Sequence, residues 1–146
     1  MELIMNTYSN ILVGLDLSAE CDKILEKACT LADTCSAKIQ AVHVVEPIAF
    51  AYGGDVPINL SEAQLIVEQN ADKRLANLLT AKGLEALCSH ICIGQPATEL
   101  HCIAKEQDCD LIIVGSHGRH GLALLFGSTA SGIVHGAKCD VLAIRV

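Results

Sequence analysis

No apolar run in this chain approaches the ~18 continuous residues that a membrane span requires, although half of its residues are apolar. Basic residues are also few: 10 Lys and Arg stand against 17 Asp and Glu, a net charge of -7. That balance argues against a nucleic-acid backbone or an anionic membrane as the main partner. The opening residues, Met1-Glu-Leu-Ile-Met-Asn6, lack the basic flank and apolar core of a secretory leader. The sequence therefore predicts a cytoplasmic protein. Three nucleophile and nucleotide motifs are missing as well. There is no G-x-x-x-x-G-K-[ST], no G-x-G-x-x-G after the first apolar run, and no G-x-S-x-G. These absences disfavour a P-loop NTPase, a dinucleotide-binding Rossmann domain and a serine-hydrolase elbow. A flavin site would need a phosphate loop after the first strand, and Asp16-Leu17-Ser18 does not provide one.

The eight cysteines are read as small, reduced, buried hydrophobes, with Cys29 and Cys102 on apolar helix faces. Cys88, His90 and Cys92 alternate along one predicted strand and so share a face. They lack C-x2-C spacing and a clear fourth ligand, so no metal site is expected.

The pattern that remains is strand alternating with helix. Asn10–Asp16 is apolar nearly throughout, as in a strand buried on both faces. Ser18 is placed to cap a helix over about 19–34, and a second strand spans Lys38–Glu46. The irregular stretch 47–60 carries two of the three prolines, a Gly53-Gly54 pair, Phe50 and Tyr52. It reads as a lid, a contact surface or a plain connector. Ser61-Glu-Ala-Gln64 has capping-box form and begins a long helix whose apolar face is Val67, Ala71, Leu75 and Leu78, ended by Gly83. A third strand covers Glu85–Ile93, and Pro96 begins a short helix with Leu100, Ile103 and Ala104 inward. Leu111–Val114, a helix over about 129–137 and a final strand Val141–Val146 complete the chain. Such alternation predicts an α/β fold with a parallel sheet and helices on both faces. Ligands then sit beyond the carboxyl ends of the strands.

One of those ends is distinctive. After Leu111–Val114 come Gly115, Gly118 and Gly121, then Gly127, Ser128 and Thr129 before a helix, and no acid lies between Asp110 and Asp140. Glycines that admit backbone N–H groups, followed by a helix N-terminus and two hydroxyls, suit a phosphate. Arg119 offers a guanidinium fork to phosphate oxygens. His117 and His120 are loop residues that either add charge there or are merely solvated. Asp16 either serves a ribose or a water-bridged Mg²⁺, or is a charge partner for the first helix.

Together, Ile11-Leu-Val-Gly-Leu-Asp-Leu-Ser18, the His43-Val44 pair, Val114-Gly-Ser-His-Gly-Arg-His-Gly121 and Gly127-Ser128 resemble the universal stress protein family, over essentially the whole chain. The resemblance implies a single doubly wound domain over residues 1–146, of the adenine nucleotide alpha hydrolase-like kind. Its five parallel strands would be ordered 3-2-1-4-5. It further implies a cytoplasmic stress-response protein, not an enzyme beyond slow ATP hydrolysis, that dimerises through its last strand. Nucleotide-binding members carry G-x2-G-x9-G-[ST]. By that pattern Gly115, Gly118, Gly127 and Ser128 would bind the phosphates and ribose of ATP or AMP, with Thr129 beside them. Asp16 and Val44 would lie near ribose and adenine, and Val114 would line the base pocket. Here eight residues separate Gly118 from Gly127, one fewer than in the pattern. The family's other branch, which binds no ATP, is the alternative: a dimeric interaction protein.

Overall fold

The computed structural model describes residues 7–48, 60–85, 88–116 and 128–146, with the side chains of 60 and 128–130 outside that description. Strand β1 is Asn10–Gly14, β2 Lys38–Val45, β3 Ser89–Ile93, β4 Leu111–Gly115 and β5 Asp140–Ile144. Helices α1 (Cys21–Cys35), α2 (Leu60–Ala81), α3 (Pro96–Glu106) and α4 (Ser128–Gly136) alternate with them. All four strand pairings are parallel, in the order β3-β2-β1-β4-β5. The expected α/β architecture and strand order are those observed.

The continuous apolar runs are explained by burial on both faces. Ile11, Val13, Leu111 and Ile113 pack under α1 and α2, with Leu25, Leu75 and Leu79. The alternate residues Leu12, Val42, Ile112 and Val114 pack under α3 and α4, with Leu100, Ile103 and Ile133. Each fully buried Leu or Ile of this kind contributes about 1.5–3 kcal/mol of transfer free energy, which holds four helices on one sheet.

Helix ends follow local chemistry, and two of them differ from expectation. Gly83 takes φ +74°, where its N–H reaches Thr80 O at 3.0 Å and the Leu84 N–H reaches Leu79 O at 2.9 Å, closing α2 as predicted. Pro96 sits in the first turn of α3, as predicted. Ser18, in contrast, does not cap α1. The helix begins after Glu20, whose side chain makes no capping bond, and the Ser18 hydroxyl lies 3.1 Å from Glu20 Oε2. The reason is Leu17, which takes a left-handed φ of 58° and turns the chain before the helix begins. Ser61 likewise lies inside α2 rather than before it. Its capping-box partner Gln64 instead accepts the Ile48 N–H at 3.0 Å. The buried face of α2 is Ala71, Leu75 and Leu79, while Leu78 packs half-buried beside them and Val67 is 42% exposed. The expected third strand is also shorter, starting at Ser89 after a turn in which the Cys88 N–H bonds Glu85 O.

Candidate functional site at the carboxyl edge of the sheet

β1 is hydrogen-bonded to β2 on one side and to β4 on the other. The chain therefore reverses its winding direction between β1 and β4. In parallel α/β sheets this opens a crevice at the carboxyl ends of those two strands. Asp16 lies two residues beyond β1, and Val114 and Gly115 end β4. Val44 lies near the end of β2. Val44 and Val114 belong to the same apolar cluster on the α3–α4 side of the sheet. Gly115 sits where a Cβ would come within 2.8 Å of Ile24 Cδ1, so a larger residue there would require the tip of the Ile24 side chain to shift.

The β1–α1 turn is held from three directions. Asp16 Oδ1 accepts the Ser18 N–H at 2.9 Å and the Cys21 thiol at 3.3 Å. His43 Nδ1 donates to Leu15 O at 2.7 Å, which fixes that ring nitrogen as the protonated one. The Arg74 guanidinium, reaching across from α2, donates to Leu17 O. A left-handed non-glycine residue costs on the order of 1–2 kcal/mol. At Leu17, whose side chain is buried, these ties and that burial offset the cost.

Asp16 is exposed, and its pKa is displaced downward. Partial burial acts to raise it, but donors from Ser18 and Cys21 outweigh that and hold the carboxyl below its ordinary value. Burial, followed by the hydrogen bond and charge of Asp16, pushes the Cys21 thiol up to about 11. Cys21 is therefore a neutral donor at this site, not a nucleophile.

Asp16, Val44, Val114 and Gly115 thus gather at one edge, as the sequence predicts. Ser128 and Thr129 open α4, though their side chains lie outside the described residues. Gly118, Arg119 and Gly127, with His117, His120 and Gly121, also lie outside them, as do residues 49–59 of the 47–60 stretch. Two residues of the site escaped sequence reasoning, Arg74 and Cys21. A cation at the edge of the apolar face of α2, next to Leu75, was the available signal for Arg74. For Cys21 it was a thiol five residues beyond a strand-end aspartate.

His90 Nε2 is 2.9 Å from Gln40 Oε1, and Cys88 precedes the strand it was expected to share. Among the described residues no group of three or more His, Cys, Asp or Glu could hold a metal ion. No helix among them is long and apolar enough to cross a membrane.

Comparison with known proteins agrees with this architecture. Residues 7–145 match the description "Universal stress protein family". Universal stress protein A homolog 1 of Coxiella burnetii is 37% identical over 139 residues, covering 94% of this chain and 96% of that protein. Among solved structures, the universal stress protein UspA from Lactobacillus plantarum superposes with a TM-score of 0.79 at 27% identity, covering 94% and 98% of the two chains. A universal stress protein crystallised in complex with cAMP superposes with a TM-score of 0.60 at 23% identity, covering 94% and 97%. With a family match over nearly its whole length and the strand order on the page, this chain belongs to the universal stress protein family.

Proposed function

We propose that this chain is a cytoplasmic stress-response protein that binds ATP or AMP at the carboxyl edge of its sheet and works as a homodimeric regulatory module. The observation that carries the reading is Asp16. Its carboxylate is exposed at the switch point, and both of its direct hydrogen bonds fall on Oδ1. An anchored carboxylate with its second oxygen uncommitted among the described residues suits a ribose hydroxyl or a water on Mg²⁺. The half-buried Val44 offers apolar surface to a base, backed by the buried Val114 of the same cluster. Gly115, Gly118, Gly127, Ser128 and Thr129 supply the backbone donors and hydroxyls of a phosphate cradle, and Arg119 its cation. A structural neighbour crystallised with cAMP supports an adenine nucleotide as the ligand class.

The site holds its ligand rather than turning it over. A carboxylate kept below its ordinary pKa is a poor general base, so at most slow ATP hydrolysis is expected. Dimerisation is assigned to β5, an edge strand whose Leu142 is 41% exposed, because an apolar edge favours pairing. Sedimentation at micromolar concentration should give a dimer, and a monomer would refute that part.

The competing reading is a dimeric interaction protein of the branch that needs no nucleotide. The spacing of eight residues between Gly118 and Gly127 favours it. Heat extraction of the purified protein, followed by chromatography of the supernatant, separates the two. Stoichiometric adenine nucleotide supports the first reading. An empty supernatant, together with Gly118→Val protein that still confers full stress protection, supports the second.

A further inference from the structure

A cavity of about 350 Å³ lies at the opposite end of the molecule, between the C-terminal ends of α3 and α4 and the beginnings of β4 and β5. Its walls include Cys102, Lys105, Cys109, Ile112, Lys138 and Cys139. Three of the eight thiols therefore line one opening, and two of them, Cys109 and Cys139, lie just before the neighbouring strands β4 and β5. Leu111 pairs with Asp140 at the start of the β4–β5 ladder, so Cys109 lies two residues before that pair on one side and Cys139 one residue before it on the other. Cys109 and Cys139 both pack into the α3–α4 cluster with Ile112 and Val141, so they share a face. All eight cysteines are free thiols in this structure.

We propose that Cys109 and Cys139 form a closable dithiol, oxidised by a small disulfide that carries carboxylates, and that the cavity is where that reagent enters. Lys105 and Lys138 are exposed at its rim, against one lining carboxylate, Asp108, and match the reagent's carboxylates. Cys139, half-buried where Cys109 is buried, is the thiol first reached. Its thiolate attacks one sulfur of the small disulfide, forming a mixed disulfide and expelling one small thiolate. The Cys109 thiolate then attacks the Cys139 sulfur, forming the Cys109–Cys139 bond and expelling the second. The protein loses two electrons and two protons, and the small disulfide becomes two thiols. The cross-link ties the start of the edge strand β5 to β4.

Reaction at neutral pH is slow, because only the thiolate attacks. Burial, then the charges of Asp140 and Asp110, pushes the Cys139 thiol up. Burial, then Cys139, Asp110 and Asp108, pushes Cys109 up to about 11. His101, Cys102 and Lys105 of α3, Asp108 after it and Lys138 after α4 are the other titratable groups lining the cavity. Closure should accelerate about tenfold per pH unit between about pH 7 and 8, as the Cys139 thiolate fraction grows.

The test is to incubate the full chain with excess glutathione disulfide, block remaining thiols with N-ethylmaleimide, and read intact mass and peptide map. The expected product has lost two hydrogen atoms and contains a 109–139 cross-linked peptide. Cys139→Ser should leave Cys109 unmodified, and Cys109→Ala should stop at a glutathione adduct on Cys139. Cys102→Ser should close at the rate of the parent chain. A cross-link joining other cysteines, or stable glutathione adducts on Cys102 and Cys139 with no closure, would overturn the proposal. Because Cys139→Ser alters only a half-buried position, the result does not depend on whether the Cys109 variant folds.

Discussion

Two aspartates hold the chain at opposite ends of the sheet, and they are used differently. At the amino end, Asp110 spends both oxygens on backbone donors, Oδ2 on the Ser9 N–H at 2.7 Å and Oδ1 on the Asn10 N–H at 3.0 Å. The Asn10 side chain adds a bond to Gln107 O, and its backbone O accepts the Asp110 N–H at 3.0 Å. That carboxylate closes a loop of structure and has nothing left to offer. At the carboxyl end, Asp16 places both bonds on one oxygen and stays exposed. The same residue type thus serves as a staple at one end and as a positioned, half-committed acceptor at the other. The chemistry of the neighbours, not of the carboxylate, decides which.

Replacing each aspartate separately is the sharpest way to test that contrast. Asp110→Ala should have the largest effect on stability, about 1–3 kcal/mol, because it strands backbone donors that are partly withdrawn from water. Thermal unfolding should show it as a lowered midpoint, while nucleotide affinity stays at the parent value. Asp16→Ala should do the reverse. Loss of one hydrogen bond to a charged acceptor should weaken ATP or AMP about tenfold, near 1.4 kcal/mol, with a smaller change in midpoint than Asp110→Ala. If both replacements shifted both readouts equally, the distinction between the two ends would fail.

A smaller effect is expected from His43→Leu, which leaves Leu15 O without its donor. Urea unfolding should register a loss of about 1 kcal/mol, and affinity should fall less than in Asp16→Ala, since His43 acts through the turn. The smallest effect concerns acid. The folded pKa of Asp16 is lowered, so the unfolded chain takes up that proton more readily. Asp16 therefore stabilises the fold above its ordinary value of 3.8 and ceases to do so as pH falls through the lower folded value. Asp16→Asn should flatten the acid limb of the stability profile slightly, and an unchanged limb would show that Ser18 and Cys21 contribute nothing through it.

The sheet was legible in the sequence because burial on both faces leaves little freedom of composition. Runs such as Ile11-Leu-Val13 and Leu111-Ile-Ile-Val114 are readable as strands without any knowledge of their neighbours. Gly83 and Pro96 were legible because their conformational roles are local. Ser18 and the Ser61–Gln64 box were misread for the opposite reason. A cap motif competes with tertiary partners, and Leu17 with Arg74, or Ile48 with Gln64, decided the outcome. Val67 carried helical periodicity yet is exposed, in the N-terminal half of α2. Cys102, expected on an apolar face, is exposed. Within the site, the family resemblance pointed to Val44 and Val114, while Asp16 and Gly115 were read from the sequence because strand ends in a parallel sheet share an edge. Arg74 and Cys21 were not, since their roles depend on a turn whose left-handed residue is a leucine.

The measurement that bears most directly on the central claim is a calorimetric titration of the purified chain with ATP, AMP and GTP. Saturable binding of ATP or AMP, with one site per chain and affinity reduced in Asp16→Ala but retained in Asp110→Ala, is the expected result. No measurable heat with any nucleotide, from protein shown to be folded and initially free of ligand, would contradict it.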